Sequence, residues 1–184
     1  MNVIETGFPG LLIIEPRVFE DSRGYFFESY QEDRYREAGI SASFIQDNES
    51  KSVKGVVRGL HYQLNEFAQA KLVRVIQGAV LDVAVDLRAG SPTFGKWFSV
   101  ELSAENKKQL FIPRGFAHGF SVLSETAIFT YKCDNFYNKE AERSIHPFDG
   151  NLNIDWKVDE KQSIVSEKDL EAPLFVEAQM NFSF

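Results

Sequence analysis

A single cysteine, Cys133, stands among the 184 residues. It excludes an intrachain disulfide and any zinc site built on several thiolates. Basic charge is in deficit, because 20 Lys and Arg against 27 Asp and Glu leave a formal net charge of -7. A general nucleic-acid binder shows a basic stripe, so that class is set aside. A small anionic ligand is not, since a few convergent Arg and Lys suffice locally. Long apolar runs are missing as well. The longest in the first twenty residues is Leu11 to Ile14, among Glu5, Glu15 and Arg17, which fits neither a signal peptide nor a membrane span. A cytoplasmic protein without membrane or nucleic-acid partners is the expectation. Low-complexity stretches, internal repeats and Pro/Gly/Ser-rich linkers are also lacking, so one domain over residues 1–184 is expected.

What the chain does have is aromatic and alternating. Seventeen Phe suit half-buried pleated surfaces. From Leu72 to Arg88, broken at Gly78, the residues alternate. Leu81, Val83, Val85 and Leu87 share one face, and Asp82, Ala84 and Asp86 the other. Period two means strands. Thr126 to Cys133 is another, with Ala127, Phe129, Tyr131 and Cys133 on one face. Gly90-Ser91-Pro92 and Pro113-Arg114-Gly115 are turns, the second closing a strand near Leu110 to Ile112. Helical signals are confined to Gln31–Ala38 and a stretch near the C-terminus. Many short strands at this spacing predict an all-β sandwich or barrel with a few short peripheral helices.

Histidine is scarce, at three residues. His146 precedes Pro147 in a polar loop and reads as exposed. His61 lies in a strand, in Arg58-Gly59-Leu60-His61-Tyr62-Gln63, and His118 follows a strand in Pro113-Arg114-Gly115-Phe116-Ala117-His118. Each alone is more often a packed or surface residue than a functional one. The Pro-x-Gly-x-x-His spacing resembles the second motif of the cupins, which are double-sheet jelly rolls. Metal-binding cupins carry His-x-His in their first motif, where this chain reads His61-Tyr62-Gln63. With one imidazole missing, Glu66 does not complete a good ligand set. Metal-free proton chemistry is the better expectation.

Further segments make the resemblance more specific. The stretches Arg58–Gln63, Ala68–Val75, Asp82–Arg88, Ser91–Gly95, Phe111–Phe120, Tyr131–Cys133 and Ser166–Asp169 are together similar to the dTDP-4-dehydrorhamnose 3,5-epimerase family, in one register from about Gly10 to Pro173. The resemblance implies a jelly-roll homodimer acting on a dTDP-linked 4-keto-6-deoxyhexose, with no metal and no organic cofactor. It implies inversion at the two carbons flanking the ketone, whose hydrogens the carbonyl acidifies. That reaction needs a base on one face, an acid on the other and a cation or donor at the ketone oxygen.

The family's roles carry over position by position. His61 matches the base, and Asp169 the carboxylate paired with it, a pairing that rests on the resemblance alone. Lys71 matches the cation at the oxyanion; its plainer reading is a surface strand lysine. Tyr131 matches the acid; its plainer reading is a core aromatic. Arg23, Glu28, Gln46, Asp47, Asn48, Arg58, His118, Glu142 and Lys168 match positions around the sugar, diphosphate and nucleotide. Arginine suits the diphosphate through its planar fork. Tyr137 matches an aromatic stacked on thymine, with Phe136 its neighbouring alternative. The family shares an N-terminal arm between subunits, which directs Arg23 and Glu28 toward the partner's site. A C3-only epimerase, a ketoisomerase and a non-catalytic sugar-binding cupin stay open as alternatives.

Overall fold

Turn residues cut the chain into short strands in the computed structural model, which describes residues 1–184. The N-terminal part forms β1 (Asn2–Glu5), β2 (Leu12–Glu15), β3 (Phe19–Asp21), β4 (Gly24–Phe26), α1 (Glu32–Glu37) and β5 (Gln46–Val53). The middle forms β6 (Val57–Gln63), β7 (Lys71–Gln77), β8 (Ala79–Asp86), β9 (Arg88–Ala89) and β10 (Trp97–Ser103). After these come β11 (Gln109–Ile112), β12 (Phe116–Val122), β13 (Thr126–Cys133), β14 (Glu142–Ser144), α2 (Glu167–Leu170) and β15 (Phe182–Ser183).

Two antiparallel sheets stack as a cupin-like jelly roll. One runs β1-β2-β11-β7-β13-β5 and the other β10-β8-β12-β6-β14. Between them lie Val73, Val75, Phe116, Phe120 and Phe129, all at most 5% exposed. Phe120 stacks on Phe129 with centroids 4.4 Å apart. Burying each such ring contributes roughly 1.5–3 kcal/mol, which makes the aromatic-rich strands the main source of cohesion. The other face of the five-stranded sheet is also covered. Leu60, Leu81, Val83, Val85 and Leu87 pack there against Leu152, Trp156 and Phe175 of the C-terminal segment.

The strand expectations hold, with Gly78 between β7 and β8 and with β13 at Thr126–Cys133. The alternation in β8 also holds, but both of its faces are covered, so Asp82 and Asp86 are fully buried. The N-terminal helix is one residue shorter at each end than expected. Gln31 caps it by accepting from the Arg34 N–H, and Ala38 closes it. The C-terminal helical stretch is a single turn, α2. His146 departs from expectation. It is half-buried, its Nδ1 accepts from the Phe148 N–H at 3.1 Å, and its backbone N–H donates to the Pro173 carbonyl. Its ring thereby braces the loop that follows β14, and its backbone N–H ties that loop to the C-terminal segment. No helix is long and apolar enough to cross a membrane.

Candidate active site

β6 and β12 run side by side, with His61 directly opposite His118 in the register. The approach is close because two glycines meet there. A Cβ on Gly59 would lie 2.6 Å from the Gly119 Cα, and one on Gly119 would lie 2.6 Å from the Arg58 carbonyl. Gly59 also has φ +122, which side-chain-bearing residues rarely adopt. The glycine in Arg58–Gln63 therefore serves to place His61.

His61 is held from behind. Its Nε2 lies 2.6 Å from Asp169 Oδ1, across 108 residues of sequence. Asp169 sits on α2, where the Ser166 side chain accepts from its N–H, and its Oδ2 accepts from the Gly59 N–H at 3.3 Å. Burial would raise the Asp169 carboxyl, but the hydrogen bonds and charge from His61, together with Gly59 and Ser166, outweigh it and hold it below the usual carboxylate value. With Nε2–H donated to a carboxylate, the other ring nitrogen has no protein partner. That nitrogen can accept a proton.

His61 lines a pocket of about 170 Å³ together with Gln46, Asn48, Lys71, Tyr131 and Glu142. Pockets that enclose a drug-sized ligand run roughly 300–1,000 Å³. This one has room for about a single sugar-sized ring. The Lys71 ammonium has no ion-pair partner within 4.0 Å and stands 5.8 Å from the Tyr131 ring centroid. Burial pushes it below the usual lysine value, opposed by Cys133, Asp82 and Glu142. The Tyr131 hydroxyl has no hydrogen-bond partner in the protein; burial raises it, with Cys133 and Glu142 adding and Arg58 opposing. Three chemically distinct groups thus face one small space unpaired: an imidazole nitrogen, an ammonium and a phenol.

The remaining residues separate by strand parity and by element. On β5, Gln46 and Asn48 point into the pocket, whereas Asp47 points out of the sheet and pairs with Lys132 at 2.9 Å. Arg58 does not line the pocket; it donates from Nε to Ser52 Oγ at 3.1 Å. Tyr137 and Glu142 share the rim, with the Tyr137 hydroxyl donating to Glu142 Oε2 at 3.0 Å and Lys168 paired to the same oxygen. Phe136, beside Tyr137, is 62% exposed and does not line the pocket. His118 does not line it either. It is buried, with Nε2 between the two Asp82 oxygens at 3.1 and 3.0 Å.

Arg23 and Glu28 are not brought to this pocket. Arg23 lies on the β3–β4 hairpin, which pairs with no other strand, and its side chain is 87% exposed beside Asp21. Glu28 pairs with Arg34 at 2.9 Å. A larger hollow of about 370 Å³ lies around Asp47, Arg74, Thr130 and Lys132, and it contains no histidine. No group of three or more His, Cys, Asp and Glu side chains is arranged to hold a metal ion.

Sequence reasoning missed three supporting residues. Gln63, buried at the end of β6, donates to the Phe136 carbonyl and accepts from the Asn138 N–H. Gln69 donates to the Asn135 carbonyl, so side-chain amides clamp the loop carrying Tyr137. The third is Asp82, and its signal was visible. An acid inside Val80-Leu81-Asp82-Val83-Ala84-Val85 stands where a charge is almost never left unless paired.

Comparisons with known proteins identify the family and the fold. The family model described as dTDP-4-dehydrorhamnose 3,5-epimerase matches residues 5–177. A curated dTDP-4-dehydrorhamnose 3,5-epimerase from Shigella flexneri is 56% identical over 179 residues, covering 97% of this chain and 98% of that protein. The crystal structure of the Elizabethkingia anophelis enzyme of that name superposes with a TM-score of 0.93 at 58% identity, over 96% of this chain and 97% of that one. A Legionella pneumophila 3,5-epimerase in complex with dTDP-4-keto-L-rhamnose superposes at 0.91 with 54% identity, over 96% and 93% of the two chains. The strand order, the pocket and the near-complete coverage therefore lead to one assignment: this chain belongs to the dTDP-4-dehydrorhamnose 3,5-epimerase family.

Proposed function

We propose that the protein inverts C3 and C5 of dTDP-4-dehydro-6-deoxy-D-glucose, giving dTDP-4-dehydro-L-rhamnose for dTDP-L-rhamnose synthesis. One observation carries the assignment of roles: His61 backed by Asp169, Lys71 and Tyr131 converge unpaired on one ring-sized pocket. His61 takes the proton from the carbon beside the ketone, and the C–H electron pair moves into an enolate with its charge on the C4 oxygen. The Lys71 ammonium faces that oxygen, stabilising charge where it develops. Tyr131 then donates its hydroxyl proton to the opposite face of the carbon, inverting it. His61 releases its proton to solvent, Tyr131 regains one, and the second carbon repeats the cycle. Only protons move, so the net reaction is redox-neutral.

The nucleotide lies along the rim in this reading. Tyr137 stacks on thymine, and Gln46, Asn48, Arg58, Glu142 and Lys168 engage the sugar and diphosphate. His118 backs the sugar from within the sheet, and Asp47 contributes through its backbone. The protein works as a cytoplasmic homodimer of one-domain subunits. The free β3–β4 hairpin, with Tyr25 58% and Phe26 70% exposed, supports an arm that carries Arg23 and Glu28 to the partner's pocket.

Incubation with dTDP-4-dehydro-6-deoxyglucose in deuterated water tests the reaction. Two ring deuterons are expected, one at each inverted carbon. A single deuteron would make the protein a C3 or C5 monoepimerase, and none would leave a sugar-binding protein.

The clamped loop predicts a separate effect on nucleotide binding. Gln63→Leu leaves the Phe136 carbonyl and the Asn138 N–H without their partner, a loss of about 1–3 kcal/mol. Tyr137 then loses its fixed position. Roughly a tenfold rise in KM is expected, each tenfold being about 1.4 kcal/mol, with kcat within about twofold. A fall in kcat at unchanged KM would instead tie Gln63 to the chemistry.

A further inference from the structure

Ser166-Glu167-Lys168-Asp169 has the form of a capping box. In such a box a serine at the helix N-cap and an acidic residue three positions on each accept from the other's backbone N–H. Only half of the box is made here. Ser166 Oγ accepts from the Asp169 N–H at 3.2 Å, but the Asp169 carboxylate does not turn back to the Ser166 N–H. Its Oδ1 lies 2.6 Å from His61 Nε2, and its Oδ2 accepts from the Gly59 N–H at 3.3 Å. The amides of Ser166, Glu167 and Lys168 therefore have no acceptor in the protein.

α2 has little else to hold it, because a helix of four residues is too short to be stable by itself. The chain is fixed before it at Ile164, which bonds Gly55 and Val57 on either side of Val56. It is fixed after it at Pro173, whose carbonyl accepts from the His146 N–H. Between these anchors only Lys168 and Asp169 bond the rest of the protein, Lys168 to Glu142 and Asp169 to β6. Asp169 is 3% exposed, whereas Ser166 is exposed and lines no part of the pocket. Unsatisfied amides at a helix start attract carboxylates. The three open amides of α2 thus compete with His61 for the Asp169 carboxylate. The cap bond decides that competition by fixing the Asp169 backbone with its side chain directed at β6.

We propose that Ser166 is a positioning residue for the proton-transfer reaction. By capping α2 it holds the Asp169 carboxylate on His61 and away from the open amides of its own helix. Ser166 touches no reacting atom and acts only through Asp169. The proposal rests on the reading of His61 as the base.

The test uses the full chain with Ser166→Ala, which removes the cap oxygen at an exposed position, and Ser166→Thr, which keeps one there. The proton between His61 Nε2 and Asp169 is read by ¹H NMR without substrate, as a far-downfield signal assigned by its absence in His61→Asn. That signal is expected to vanish or move upfield in Ser166→Ala and to stay in place in Ser166→Thr. In Ser166→Ala kcat should fall roughly 3–30-fold, the range of a lost N-cap, with KM within about threefold. Ser166→Thr should restore kcat to within about twofold of the parent. Added to Asp169→Asn, Ser166→Ala should lower kcat by less than about twofold more, because a residue acting through Asp169 has nothing left to act on. An unmoved signal in Ser166→Ala overturns the proposal whatever kcat does. So does a full, additive loss in the Asp169→Asn background, which general damage to the fold would give. A displaced signal with unchanged kcat upholds the positioning of Asp169 and overturns the pair's part in proton removal. Should solvent exchange hide the signal in the parent, the double variant alone decides.

Discussion

Replacing His61 by alanine or asparagine is expected to lower kcat by roughly 10²–10⁴-fold, the usual cost of a missing general base. The structure explains why no neighbour substitutes. Only His61 combines a pocket-facing nitrogen with a carboxylate behind it, at 2.6 Å. His118, directly across the register, is buried and has its Nε2 engaged by Asp82. Glu142 is tied to Lys168 and Tyr137. Both Gln46 and Tyr137 remain, so dTDP affinity should change by less than about threefold, a difference of under about 1 kcal/mol. Solvent deuterium should fail to enter at either carbon, because no enolate forms. Mass spectrometry of the recovered sugar nucleotide measures this directly. Near-parent exchange in the variant would reduce His61 to a strand residue and remove the basis of the mechanism.

Tyr131→Phe is expected to separate exchange from inversion. The ring remains to pack against Phe129, 6.0 Å away, so the fold should persist. What disappears is the unpartnered hydroxyl, the proposed donor on the face opposite His61. Proton removal by His61 still proceeds, and the enolate recaptures a proton from the same side. Deuterium should therefore still enter the ring while inverted product falls by about 10²-fold or more, in the range for a lost general acid. NMR stereochemistry and mass spectrometry on one sample read both quantities. Parent-rate inversion at both carbons would mean that water or another group donates, leaving Tyr131 as a core aromatic.

Local pattern carried much of this account. Period-two alternation placed the strands because side chains on a strand alternate whatever lies above or below them. Thus β8 and β13 were readable from Leu81-Asp82-Val83 and Phe129-Thr130-Tyr131. The same parity later put Gln46 and Asn48 into the pocket and turned Asp47 away. Turn residues marked the strand ends for an equally local reason. The ordered motifs from Arg58–Gln63 to Ser166–Asp169 pointed to one family, and through it to His61, Lys71, Tyr131 and Asp169.

Parity says which side of a strand a residue occupies, not what covers that side. That is why the burial of both β8 faces, and with it the unusual position of Asp82, depended on where the C-terminal segment packs. Exposure of His146 was misread for the same reason, since its cover comes from residues near Pro173. The His61–Asp169 contact joins residues 108 positions apart, and no local period encodes a distance of that kind. By itself the sequence determined the strands, their faces and the set of chemical groups available for proton transfer. Tertiary structure alone decided which of those groups stand free and which are held. Packing two sheets against each other left the imidazole, the ammonium and the phenol unpaired at one opening, and it sealed Asp82 and His118 within the fold.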